Sequence, residues 1–167
     1  DIDAAVNATK RAADLVQQIL AYAGQGRIVT KPLNMTVTIR ETLALLQASI
    51  PGNVRLELIL PDDLPSIPAD AIQLHQVVMN LLINAIESLE ANAGQIRITA
   101  GTVAAGDLPT THIWPADILA PTPFVFFEIS DTGKGIATDV LNRIFDPFFS
   151  TKFTGRGLGL AAVLGIV

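Results

Sequence analysis

Gln73, Gln76, Asn80, Asn84 and Glu87 fall within about 40° of one line when a helix is wound at 100° per residue. Their neighbours are almost all apolar: Leu74, Val77, Val78, Leu81, Leu82, Ala85, Ile86 and Leu89. A helix this hydrophobic is mostly buried. A carboxamide buried without partners costs about 1–3 kcal/mol, so two of them one turn apart need polar company. A hydrated metal bound to phosphate would supply it. Amide oxygens are hard ligands suited to Mg²⁺, which keeps several waters and takes few protein ligands. The plainer reading is a polar face meeting solvent or a neighbouring loop, and the asparagine spacing alone leaves both open.

Two glycine loops follow. Asp131-Thr132-Gly133-Lys134-Gly135-Ile136 comes directly after an apolar run. A carboxylate at a strand end, then two glycines, suits a ligand that approaches the backbone closely. An ionised Asp accepts a hydrogen bond from an exocyclic amine such as that of adenine. A tight Asp-Thr-Gly turn is the bland alternative. In Gly155-Arg156-Gly157-Leu158-Gly159-Leu160 glycines alternate at the opening of a helix. Such a segment presents N–H groups to phosphate, with Lys152 and Arg156 adding positive charge. It lacks Gly-Lys-Ser/Thr, so it is no Walker loop, and without an opening strand it is no dinucleotide fingerprint. As a lone repeat it also reads as a connector. Between the loops, Phe145, Phe148 and Phe149 read as hydrophobic pegs of a mobile lid or as a satellite core cluster.

The elements that must position these residues are legible in outline. Residues 1–23 read as one helix: Ile2, Val6, Thr9, Ala13, Val16, Leu20 and Ala23 alternate at spacings of four and three, as in a bundle seam. Gly24 and Gly26 end it. A second helix starts at Thr36 or Thr38 and runs to Ser49, with Thr38 and Glu41 at capping-box spacing. Val54–Leu60 alternates and predicts a strand. Residues 61–68 read as a loop. Asp70 predicts an N-cap, with Gln73 in the reciprocal position, for a helix reaching Glu90. Gln95–Val103 predicts a strand, and residues 104–123 a long loop or short hairpin holding His112 and Trp114. Phe124–Ser130 is apolar enough to predict a strand covered on both faces. A short helix is expected near Thr138–Phe145.

Composition narrows the classes. The chain has 167 residues, half of them hydrophobic and only 16% charged, which excludes a disordered tail. It has no cysteine, which removes disulfides, thiol nucleophiles and cysteine zinc sites. His75 and His112 lie far apart, against a histidine metal cluster. A net charge of −5 argues against an electrostatic nucleic-acid binder. No apolar run approaches the roughly 20 residues that span a bilayer. The non-Met start and apolar end read as cuts in a longer protein, which leaves a membrane anchor elsewhere open.

Together the motifs resemble the catalytic ATP-binding domain of sensor histidine kinases, within the GHKL superfamily shared with gyrase, MutL and an abundant chaperone. His75–Ala85 resembles the family's N box, Asp131–Ile136 its G1 box, Phe145–Lys152 its F box and Gly155–Leu160 its G2 box. The stretch Leu20-Ala21-Tyr22-Ala23-Gly24 resembles the end of the second helix of the dimerisation and phosphotransfer hairpin. The resemblance implies an α+β fold: a two-layer α/β sandwich whose mixed sheet is covered by helices on one face, preceded by one bundle helix. It implies residues 1–26 as the hairpin helix and 27–167 as a C-terminally truncated catalytic domain.

For the site, the resemblance implies ATP and Mg²⁺. Asn84 and Asn80 would hold the metal near the phosphates and act catalytically through it. Asp131 would bind the adenine amino group, with Gly133, Gly135 and Ile136 shaping its pocket. Phe149, Lys152, Gly155, Arg156, Gly157, Leu158 and Gly159 would complete the nucleotide site. The γ-phosphate would pass to a histidine on the missing hairpin helix, then to a response-regulator receiver domain, in a homodimeric parent whose catalytic domain is cytoplasmic.

Two departures bear on this. His75 sits inside the N box and His112 in a proline-bounded loop, neither with the usual acidic neighbour, so the fragment is expected to bind ATP without phosphorylating itself. Arg156 stands where many relatives carry Thr or Ser. Rival readings are a hydrolytic relative like gyrase, a non-catalytic interaction module and a serine kinase of the same fold. The first would place a glutamate where Asn80 stands.

Overall fold

The computed structural model describes residues 29–90, 92–104, 123–152 and 157–167. The expected hairpin helix, His112, Trp114, Gly155 and Arg156 lie outside the described residues. In chain order the elements are β1 (Lys31–Leu33), α1 (Met35–Leu46), β2 (Val54–Ile59), β3 (Ile67–Ala69), α2 (Ala71–Ser88), β4 (Gly94–Val103), β5 (Phe124–Asp131) and α3 (Gly159–Ile166). The main sheet has the order β2-β4-β5. β2 runs parallel to β4, with Val54 opposite Gly94, and β5 runs antiparallel to it, with Asp131 opposite Ile96. β1 and β3 form a separate antiparallel ribbon.

This is the mixed sheet with helices on one face that the motifs imply. Alternation along β4 explains the layering. Ile96, Ile98 and Ala100 are buried against Ile39 and Leu43 of α1 and Val78, Leu82 and Ala85 of α2. The opposite face is polar: Arg97 Nε lies 3.0 Å from Glu57 Oε2. No described helix is long and apolar enough to cross a membrane.

Three expectations change. β5 is not covered on both faces among the described residues: Val125, Phe127 and Ile129 pack on the core, whereas Phe126, Glu128 and Ser130 alternate outward. The described helices lie on one face, and the Phe126 ring lies across Gly101 of the neighbouring strand. α1 is capped by Asn34, not Thr36 or Thr38; Asn34 Oδ1 accepts from the Val37 N–H at 3.3 Å. The two threonines are buried, Thr36 Oγ1 donating to the Pro61 carbonyl at 2.6 Å. The helix expected near Thr138–Phe145 is one 3₁₀ turn at Leu141–Arg143, and Pro147 restricts the preceding residue and prevents continuation.

Asp70 caps α2 as its position predicts. Its Oδ1 accepts from the N–H groups of Ile72 at 2.9 Å and Gln73 at 3.2 Å. Its Oδ2 accepts from the Val29 N–H at 2.8 Å, which ties the entering chain to the helix start. The Val29 bond foremost, then those from Gln73 and Ile72, hold the carboxyl below its ordinary pKa.

Candidate functional site

α2 is the spine of the site. Asn80 is 8% exposed, and its Nδ2 donates to the Gly159 carbonyl at 3.2 Å. A side chain at position 159 would come within 3.8 Å of both Asn80 Cγ and Asn84 Nδ2. The first residue of α3 thus sits directly over the asparagine pair, and the polar partner that Asn80 requires is a backbone carbonyl of the second glycine loop. One turn further, Glu87 Oε2 takes the Lys152 ammonium at 2.6 Å. One helix face therefore gathers Asn80, Asn84, Lys152 and Gly159. Gln73 and Gln76 continue that face, half-buried, toward Asp70.

Asp131 ends β5 beside the last turn of α2. Its Oδ1 accepts from the Gly133 N–H at 2.9 Å and lies 2.6 Å from Ser88 Oγ. The loop after it is clamped on both sides. The Lys134 N–H donates to the Ser88 carbonyl at 3.2 Å, and Lys134 pairs with Glu90. On the β4 side Thr132 and Gln95 exchange two hydrogen bonds, Thr132 N–H to the Gln95 carbonyl at 3.1 Å and Gln95 N–H to Thr132 Oγ1 at 2.9 Å. Gly133 is required by close approach, because a Cβ there would sit 2.6 Å from the Ser88 carbonyl carbon. An open cleft of about 550 Å³ is lined by Asp131, Gly135, Ile136, Ile129, Leu141 and the outward edge of β5. That volume lies within the usual span of ligand clefts, about 300–1,000 Å³. Asn80, Asn84 and Lys152 are not part of that lining; Asn84 lies one turn, about 6 Å of rise, from Ser88.

The phenylalanine segment packs less than its composition predicts. Phe149 is half-buried under the Arg143 guanidinium, 4.4 Å from the ring centroid, whereas Phe145 and Phe148 are 42% and 74% exposed. Phe148 holds φ +66°, and its N–H donates to the Gly157 carbonyl at 2.9 Å. Gly157 has φ +65°, and a Cβ on it would sit 2.6 Å from the Phe149 carbonyl carbon. Gly157 is thereby docked on the phenylalanine segment just before α3. Leu158 is buried, which leaves its backbone as its means of meeting a ligand. Ile136 is 53% exposed and lines the cleft.

Ser88 and Thr132 touch this candidate site, and neither was singled out from the sequence, although Thr132 lies within the first glycine motif. The signal for Ser88 was weak: it follows Asn84 by four positions, but at 100° per residue it falls about 80° from the polar line. Among the described residues no group of three or more His, Asp and Glu is placed to hold a metal. The donors available are the amide oxygens of α2. That set fits a cation held chiefly by a phosphate ligand and water.

A family model described as histidine kinase-, DNA gyrase B-, and HSP90-like ATPase matches residues 69–167. The chain is 36% identical over 159 residues to the sensor kinase CckA of Brucella abortus (strain 2308), covering 94% of this chain and 16% of that protein. It is similar to the structure of full-length ShkA in complex with AMPPNP, with TM-score 0.72 and 27% identity, over 96% of this chain and 31% of that one. It is also similar to the histidine kinase ThkA in its complex with the response regulator TrrA, with TM-score 0.58 and 25% identity, over 87% of this chain and 38% of that one. The chain thus spans less than a third of the length of CckA and ShkA.

Proposed function

The chain belongs to the histidine kinase-, DNA gyrase B-, and HSP90-like ATPase family, as a catalytic domain of the sensor histidine kinase type, and from that premise we propose that it binds ATP along α2 and presents the γ-phosphate to a histidine. Adenine lies against Asp131 in the cleft floored by Ile129 and Ile136. The triphosphate runs toward Asn84, Lys152 and the glycine loop before α3. What supports this is the placement of the Asp131 carboxylate and an amide pair about two turns apart along one helix, the carboxylate beside a glycine where no Cβ would fit and the pair beneath Gly159.

The residues act by position and charge, as phosphoryl transfer demands. Asp131 accepts the exocyclic amine. Lys152, held by Glu87 in this structure, exchanges that partner for phosphate oxygens. Arg156, four positions on in the sequence, would add charge there. Asn84, with Asn80 beside it, would hold Mg²⁺, whose chemistry when bound is to neutralise phosphate charge. The segment Phe145–Lys152 would cover the phosphates and exclude water.

The acceptor is not His75. Its ring is wedged between α1 and α2, with Nδ1 2.7 Å from Thr42 Oγ1 and Nε2 3.6 Å from Glu41. The acceptor is a histidine on a hairpin helix, and the phosphoryl group then moves to a receiver domain of the kind ThkA binds. A homodimeric parent and a boundary at residues 26–27 belong to this reading. Asn80 stands where a hydrolytic relative needs a general-base glutamate, which favours transfer over hydrolysis.

Calorimetry tests the reading. ATP binds the parent, and Asp131→Ala weakens it at least 30-fold while the circular dichroism spectrum stays unchanged. Equal affinity in parent and variant would overturn the adenine assignment.

A further inference from the structure

Ser88 offers one hydroxyl proton to two acceptors, the Ala85 carbonyl at 2.7 Å and Asp131 Oδ1 at 2.6 Å. A serine in the last turn of a helix ordinarily returns its proton to a carbonyl three or four residues back. Here a carboxylate oxygen lies equally near, and a charged acceptor makes the stronger bond. Oδ1 also accepts from the Gly133 N–H at 2.9 Å. Two donors from two different elements therefore converge on one oxygen of Asp131. Among the described residues Oδ2 takes no hydrogen bond.

We infer that Ser88 is a positioning residue for base recognition: its hydroxyl locks the carboxylate of Asp131 with Oδ1 engaged and Oδ2 turned out as the acceptor for an amine on the base. This rests on the reading of Asp131 given above and deepens it. The Gly133 N–H belongs to the same short loop as Asp131 and moves with it. Ser88 belongs to α2, and its carbonyl also takes the Lys134 N–H at 3.2 Å. It therefore references the carboxylate to the helix that carries Asn84. It fixes the distance between the base end and the phosphate end of the site. The lock has a second effect. A free serine hydroxyl rotates and donates to a carbonyl, so it would accept a base bearing an oxygen where adenine bears its amine. With the proton committed to Oδ1, the site faces the base with acceptors alone.

The test is a cycle between side chain and ligand. ATP and purine riboside triphosphate, which lacks the 6-amino group, are titrated by calorimetry into the chain and into Ser88→Ala and Ser88→Cys. Alanine favours the helix, and cysteine keeps the volume while donating only weakly. Both variants should bind ATP about tenfold more weakly and bind the amine-free analogue as the parent does. Equal weakening toward both nucleotides would make Ser88 a merely structural residue and overturn the inference. Unchanged ATP affinity in both variants would overturn it too. A parent that fails to prefer ATP over the analogue would remove the adenine reading itself, and the inference with it, a failure distinct from either variant result.

Discussion

Asn84 and Asp131 mark the two ends of the proposed nucleotide, and they differ in how openly the amino-acid sequence declares them. Asp131 is visible because a carboxylate between an apolar strand and two glycines suits a ligand close to the backbone, although a tight Asp-Thr-Gly turn would read the same way alone. Asn80 and Asn84 are visible because carboxamides in an apolar helix demand partners. Ser88 is not, because a serine at a helix end is ordinarily read as local capping, and only the folded approach of Gly133 reveals its second acceptor. Lys152 was legible as a charge but not as the partner of Glu87 across 65 positions. At this scale the account predicts that Asn84→Ala abolishes the contribution of magnesium to ATP affinity. Calorimetry with and without EDTA should show at least a tenfold gain from Mg²⁺ in the parent and none in the variant. A retained gain would assign the metal to other ligands.

Among the elements, the long ones were read well and the short ones poorly. α2 and β4 stand within a residue or two of their predicted bounds, because an 18-residue apolar helix and a ten-residue β-branched strand carry strong periodicity. β1 and β3 were missed, because three-residue strands that each contain proline have no period and exist only through pairing across some 36 positions. Asn34 prevailed over two threonines as the cap of α1 because those threonines face inward. The cap of α2 makes a prediction with a sign. Asp70 has its pKa lowered in the fold, so it stabilises the protein above its ordinary value near 3.8, and that contribution is lost as pH falls through the folded value. Asp70→Asn should cost about 1 kcal/mol or less at neutral pH. Thermal melts from pH 7 down to pH 3 should therefore show the gap between parent and variant closing at the acid end. A gap that stays constant would mean the charge contributes nothing.

At the scale of the molecule, the fold class was legible and the connection between its parts was not. A mixed sheet with helices on one face was implied by the resemblance of the four motifs to the family, while periodicity supplied only the single long helix and strands that build it. Among the described residues β5 is covered on one face, because hydrophobic content does not tell which face an aromatic takes; Phe126 lies over Gly101 rather than in the core. What no local pattern announces is that α2 touches both glycine loops, the first through Ser88 and the second through Asn80. This makes the helix a ruler between base and phosphate, and it places the central claim within reach of one spectrum. In a ¹⁵N-labelled chain titrated with AMPPNP and Mg²⁺, the side-chain amides of Asn80 and Asn84 and the backbone amides of Gly133 and Gly135 should shift together along one binding curve. Shifts confined to the outer face of the sheet around Glu57 and Arg97, or none at the asparagines and the glycines, would contradict it.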